Sequence, residues 1–274
     1  MSASHDLPSV IAFPGGTPRV LARLAPHDDF GGLPRFAAAH NLVPRAEWQD
    51  VDLSPFLHPV WDQGQHGSCV GHGSATAYHL AYRIAGGTVP EGGFSPTSLY
   101  ALINGGRDRG AVVSDAMDAL MKNGLGLMSE VPESIIYEQQ ISSQAKASRA
   151  RFKVLDAYHV DTFDALGSAL QLGFPVSFGI MLPGRFMILN AEGVCGLGGR
   201  GLGGHCMAAY GTKRLANGQW AIRVRNSWGT RWGVGGNCLL VEEHFNDPHL
   251  DAFAIRANLS DPMDPNPQPS AVIS

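Results

Sequence analysis

The chain has 274 residues, 44% of them hydrophobic and 16% charged, which is enough to bury one large core or two smaller lobes. A net charge of −4 and a pI near 6.2 exclude the basic footprint of a nucleic-acid binder or of a protein held on an anionic membrane surface. No apolar run approaches the ~20 residues of a membrane span, and four cysteines without a CxxC pair do not make a disulfide scaffold in a chain this long.

Residues 1–50 are rich in Pro and Gly and only weakly periodic, and they read as an N-terminal arm or short pro-like segment. Val10, Ile11, Phe13, Val20 and Leu21 are too many apolar groups for a freely solvated tail and too irregular for a separate domain. The arm is therefore expected to pack on the body and to limit access to any cleft there. Its start, "MSASHDLPSVIAF", has neither a basic n-region nor a long apolar stretch, so no signal peptide is expected. Free thiols without a secretion signal point to an intracellular, reducing setting.

Residues 68–150 have a helical texture. One helix is expected over about 68–84, and a second in "FSPTSLYALI", with Ser95 as N-cap and Pro96 in the first helical position. A third, "SDAMDALMKNG", is expected to begin near Ser114 and stop at Gly124. Residues 153–257 read mostly as strands: "KVLDAYHV", then an amphipathic helix "TFDALGSALQLG" closed by Gly173, then the apolar strand "FPVSFGIML". "CMAAYGTKRLANGQWAIRVRNS" reads as two strands joined at Asn217-Gly218, with "GNCLLVEE" and "DAFAIRA" as two more. A helical lobe followed by an antiparallel sheet lobe is an α+β arrangement, and the seam between them is a natural cleft. The tail 260–274 carries four prolines and is expected to be disordered.

The chemistry concentrates in three places. In "WDQGQHGSCVGHGSATAYHLAYR", Cys69 stands at the start of the first helix, where the positive end of the dipole favours a thiolate. In "GLGGHCMAAYG", small residues deliver His205 to the start of a strand at the lobe edge. In "VRNSWGTRWG", Asn226 can orient that imidazole through its amide oxygen, and Trp228 can shield the bond from water. His66, Cys69 and His72 lack the paired spacing of a zinc site, so His66 and His72 read as rim or surface residues, with no metal and no cofactor expected. The "GVCGLGGRGLGGHC" stretch lacks the lysine and hydroxyl of a phosphate loop and reads as a mobile loop beside the cleft. Trp232 reads as a core aromatic.

These motifs, "DQGQHGSCVGHGSATA", "GGHCMAAYG" and "WAIRVRNSWGTRWGVGG" in that order, make the chain resemble the papain-like cysteine peptidases. The family's histidine and asparagine follow the cysteine by some 130–150 residues; here they follow by 136 and 157. The resemblance implies a two-lobe fold with the active site between a helical lobe (about 51–150) and a sheet lobe or barrel (about 151–259). It implies Cys69 as nucleophile, His205 as general base and acid, and Asn226 as the residue orienting His205. Gln63 would supply an oxyanion-hole donor beside the backbone N–H of Cys69, and Gly110, Ala111 and Gly204 would bind substrate backbone. The implied activity is hydrolysis of protein or peptide bonds through a Cys69 thioester. Two other readings share the same motifs: an inactive papain-like binding module, and an acyl transferase or amidase built on the same triad.

The chain departs from the family pattern at three positions. Val70 replaces the usual aromatic after the nucleophile. His66 stands where secreted members carry a cysteine, and Cys206 stands where an alanine is usual after the histidine. Only 68 residues precede Cys69, so control by a short arm, or none, is expected rather than by a full inhibitory pro-domain, and a bacterial or phage protein is the expected source.

Overall fold

Two glycines in the helix that opens at Cys69 let it lie close to its neighbours. The computed structural model describes residues 8–12 and 17–259; Phe13 and the tail 260–274, read above as disordered, lie outside the described residues. In chain order the elements are β1 (Ser9–Ile11), β2 (Arg19–Leu21), α1 (Phe36–Ala39), β3 (Val51–Asp52), α2 (Cys69–Ile84), α3 (Pro96–Ile103), α4 (Val113–Lys122) and α5 (Ser143–Ser148). They continue with β4 (Val154–His159), α6 (Phe163–Gln171), β5 (Val176–Leu182), β6 (Gly203–Arg214), β7 (Trp220–Arg225), β8 (Asn237–Val241) and β9 (Asp251–Ala257). Helices crowd the first half and strands the second, the α+β order read from the pattern. None of the helices in the described residues is long and apolar enough to cross a membrane.

The sheet runs β4-β9-β5-β6-β7-β8, with β3 added beside β6, and every pairing in it is antiparallel. Helix α2 is buried from Cys69 to Ala81 and lies on β6, β5 and β9. A Cβ on Gly73 would come 2.7 Å from Cys206 Sγ, and one on Gly71 would come 2.7 Å from the Pro96 carbonyl. The "CVGHG" spacing thus lets α2 lie against β6 on one side and α3 on the other. Gly73→Ala is expected to cost about 1–3 kcal/mol by overpacking, measured by denaturant unfolding, because the sheet offers only buried atoms to move.

Two apolar clusters flank this seam. One gathers Cys69, Val70, Tyr78, Phe94, Leu99, Met117 and Phe253 among the helices. The other gathers Phe36, Trp48, Phe163, Phe178, Met207, Trp228 and Trp232 around the sheet and α6. Phe36 and Trp48 are 0% and 3% exposed, so residues well before position 50 are part of the sheet lobe's core.

Local signals set several helix ends. Ser95 Oγ accepts the Ser98 N–H, with Pro96 at the first helical position, as expected. The helix expected to begin near Ser114 is α4, which starts at Val113, where its first amide donates to the Asp251 carboxylate on β9, 3.0 Å away. A cap supplied from 138 residues downstream is invisible to a local reading.

Candidate active site

Cys69 is the first residue of α2 and His205 the third of β6. The backbone amide of Cys206, next to His205, lies against the Cys69 thiol. Asn226 follows directly on β7, and its Oδ1 lies 2.8 Å from His205 Nε2. That oxygen also accepts the Ser227 backbone N–H at 2.7 Å. A backbone amide can only donate, so the Asn226 atom it meets is the carbonyl oxygen, and His205 Nε2 must carry a proton to bond to it. The neutral ring therefore has its lone pair on Nδ1, which is buried and without a hydrogen-bond partner. Trp228 stacks on the imidazole at 4.6 Å and 26° and is 1% exposed, so it covers the His205–Asn226 bond as expected. Trp232 lies behind it, stacked on Phe186.

Gln63 is fixed from both ends of its amide. Its Oε1 accepts the Ser227 hydroxyl at 2.7 Å, and its Nε2 donates to the carbonyls of His66 (3.0 Å) and Val20 (3.1 Å). Ser227 thus ties Gln63 to the Asn226 loop. It is a role the sequence reading missed, although the residue stands inside the "RNSWG" motif it used.

The carbonyl of Val20 belongs to the arm, and the arm fills the cleft. The Arg23 N–H donates to Gly204 O at 3.0 Å, the Ala111 N–H to Ala22 O at 3.1 Å, and the Leu24 N–H to Ala111 O at 2.9 Å. A Cβ on Gly110 would sit 1.8 Å from Ala22 O, and one on Gly204 2.3 Å from Arg23 O. Gly110, Ala111 and Gly204, named from sequence as backbone binders, lie against the backbone of arm residues 22–24.

The arm also overturns one electrostatic expectation. Cys69 is 0% exposed rather than a solvated thiolate. Burial raises its thiol above the ordinary value, while the amides of Ala22, Cys206 and Val70 and the Arg23 charge pull it down. Burial likewise lowers His205 to about 4, against the Asn226 hydrogen bond that raises it. Burial thus acts against the thiolate and against the imidazolium alike while the site is covered.

His72, read as a rim or surface residue, is 1% exposed, with Nδ1 3.0 Å from the Ser68 carbonyl. It faces inward because α2 is covered along almost its whole length. His66 is partly exposed and its Nδ1 lies 2.9 Å from Asp108 Oδ2. Asp108 Oδ1 accepts both the Gly67 N–H (2.8 Å) and the Tyr100 hydroxyl (2.7 Å), and that hydroxyl in turn accepts the Gly110 N–H (3.1 Å). Asp108 therefore links the loop before Cys69 to the segment carrying Gly110 and Ala111, at the point where His66 replaces a cysteine. Asp108→Ala is expected to lower stability by about 1–3 kcal/mol, since two donors lose a charged acceptor. His66→Ala is expected to cost less than about 1 kcal/mol, the range of an exposed pair. Denaturant unfolding of both variants checks the order. Among the described residues, no group of three or more His, Cys, Asp or Glu could hold a metal ion.

The sequence model described as papain family cysteine protease matches residues 43–255. A peptidase C1-like protein of Acanthamoeba polyphaga mimivirus is 26% identical over 236 residues, covering 75% of this chain and 73% of its own. Cysteine protease 1 of Oryza sativa is 27% identical over 263 residues, covering 94% of this chain and 51% of its own. Among solved structures, xylellain, a cysteine protease from Xylella fastidiosa, superposes with a TM-score of 0.66 at 21% identity, over 93% of this chain and 98% of its own.

Proposed function

The chain belongs to the papain family of cysteine proteases, and on that premise we propose that it hydrolyses peptide bonds by acyl transfer to Cys69, held in check by its own arm. The observation that carries the reading is the fixed tautomer of His205. Its Nε2 proton is committed to Asn226, which leaves the Nδ1 lone pair to take the thiol proton. Thiolate attack on a substrate carbonyl then forms a tetrahedral oxyanion, for which the Gln63 amide and the Cys69 backbone N–H are the donors. The imidazolium returns its proton to the leaving amine, and water, activated by the same Nδ1, hydrolyses the thioester.

Arm residues 20–24 occupy the cleft in the resting chain. Val20 O takes up a Gln63 N–H that the oxyanion would need, and the Ala22 amide covers the thiol. Turnover therefore requires the arm to leave. We also place the protein in a reducing compartment, on the support of four cysteines that are all unpaired and buried.

The test is intact-mass analysis after exposure to a thiol-reactive peptidyl probe, with Cys69→Ala as control. With the arm displaced by truncation, a single adduct that the variant abolishes is expected. An adduct that persists in Cys69→Ala, or none when the arm is displaced, would leave an inactive module as the better account.

A further inference from the structure

Helix α2 carries His72, Thr76, His79 and Arg83 at steps of four, three and four residues, so they form one stripe along it. The segment 54–63, which ends on Gln63, lies over that stripe. The Phe56 carbonyl lies against the His79 ring. His58 Nε2 is 3.0 Å from Thr76 Oγ1, and its ring stacks on Trp61 at 3.4 Å and meets His79 edge-on at 5.0 Å. Trp61 in turn meets His72 edge-on at 6.1 Å. His58, His72 and His79 are 7%, 1% and 7% exposed, so the contact is dry.

In each ring one nitrogen faces a carbonyl, which can only accept, and so carries the proton. For His72 it is Nδ1, 3.0 Å from Ser68 O, and for His58 it is Nδ1 on Pro59 O. The other nitrogen of His72, Nε2, and Nδ1 of His79 are buried without a hydrogen-bond partner. A second proton on either ring is therefore a dry cationic N–H. The surrounding charges oppose it. His79 feels Arg83 and Arg225, and His58 feels His79, Arg225 and His72. Arg225, 8% exposed, donates to the His58 carbonyl at 3.0 Å and to Asn237 Oδ1 at 2.9 Å, both neutral acceptors. On His72 the Asp62 carboxylate acts in favour of a charge, with His66 and His205 against it, and Glu133 lines the same cavity. Burial lowers His72 and His79 to about 4, and His58 well below its ordinary value. The Trp61 indole partly offsets a charge on His58, so the two protons that decide are those of His72 and His79.

We propose that this stripe is a pH latch: neutral histidines hold the segment 54–63 on α2, and acid lifts the segment, with Gln63, before the rest of the fold opens. A histidine whose folded value is lowered stabilises the closed segment above about pH 6.5 and loses that contribution as the pH falls toward 4. Each such histidine takes up one proton on opening, so the opening equilibrium rises about tenfold per pH unit per histidine in that window. Gln63 is where the latch meets the site. Its backbone N–H donates to Ser227 O at 2.9 Å and its Oε1 accepts the Ser227 hydroxyl, so lifting the segment withdraws the amide and frees the Asn226 loop. That consequence for turnover rests on the peptidase reading, whereas the latch does not.

Amide hydrogen exchange on the full chain, corrected for its intrinsic pH dependence, needs no turnover and so tests the latch apart from that reading. Protection of the Gln63 amide is expected to fall about 100-fold per pH unit between about pH 6 and 4.5, the slope of two protons. Amides of β6 should stay at least about tenfold better protected throughout, the mark of an opening smaller than the whole fold. In His79→Gln, which keeps a donor for the Phe56 carbonyl but cannot take a charge, the fall should drop to about tenfold per unit. His72→Gln should do the same, and it serves if the first variant folds poorly. A fall of about tenfold per unit or less in the parent overturns the latch. So does an unchanged slope in either folded variant, or protection at Gln63 and in β6 that converges as the pH falls.

Discussion

Removing residues 1–25 is expected to raise the alkylation rate of Cys69 near pH 6 by about 100-fold, the factor for an arm docked some 99% of the time. In the full chain all four thiols are buried, with Cys69 at 0%, Cys195 at 2%, Cys206 at 0% and Cys238 at 3% exposed, so none should react quickly. Once the arm is gone, water reaches the helix N-terminus and the imidazole, and separating the charge between them ceases to be penalised. Cys195, Cys206 and Cys238 stay inside, with burial holding the Cys206 and Cys238 thiols well above their ordinary range. Selective labelling should thus appear only on truncation. The cut must fall before residue 34, because one near Ala46 would also strip out Phe36, which is 0% exposed and packs against Tyr158 and Phe174. The shorter deletion should still lower the melting temperature, since the core groups that Ile11 and Leu21 pack against become exposed at roughly 25 cal/mol per Å². Lower melting with unchanged labelling would reduce the arm to a structural strap.

His205→Ala, made in the same truncated chain, is expected to lower kcat/KM by about 10³-fold or more, whereas Asn226→Ala should cost about 10- to 100-fold. The gap follows from what each residue does. In the proposed mechanism His205 accepts and returns a proton, a contribution of about 10²–10⁴, while Asn226 meets the ring through one 2.8 Å bond. The ring keeps part of its orientation without that bond, because Trp228 still stacks on it. Circular dichroism and melting should show both variants folded. An Asn226→Ala enzyme with undiminished kcat/KM would remove Asn226 from the site. A His205→Ala enzyme with the activity of the parent would remove the mechanism altogether.

Much of the site was legible because its parts lie in short motifs with local causes. "GSCVGHG" announces a helix start, a nucleophile and two glycines for close packing. "GGHC" announces a strand whose first residues leave room for a backbone, and "RNSWG" holds both the orienting amide and the covering indole. What Ser227 and Asp108 do was not legible. Their partners, Gln63 and Gly67, lie 164 and 41 residues away, and neither Ser nor Asp in a loop signals such a bond.

The sequence by itself determined the α+β order and the positions of α2 and of strands β4 to β9, and it put Cys69, His205, Asn226 and Gln63 forward as one proposed site. Periodicity, Ser95-Pro96 at a helix start and Asn217-Gly218 at a turn act within a few residues, so they are readable from a few residues. Tertiary structure decided what no local pattern contains. It set the start of α4 at Val113 by lending Asp251 from β9, and it turned His72 inward by covering α2. It also laid the arm across the cleft, where burial raises the Cys69 thiol and lowers the His205 imidazole. Strands β1 and β2 are three residues each, too short to carry a periodic signal. In the cleft, residues 22–24 are held by bonds to Gly204 and Ala111. The charge state of the site is a property of what covers it, and only the folded chain brings that cover into place.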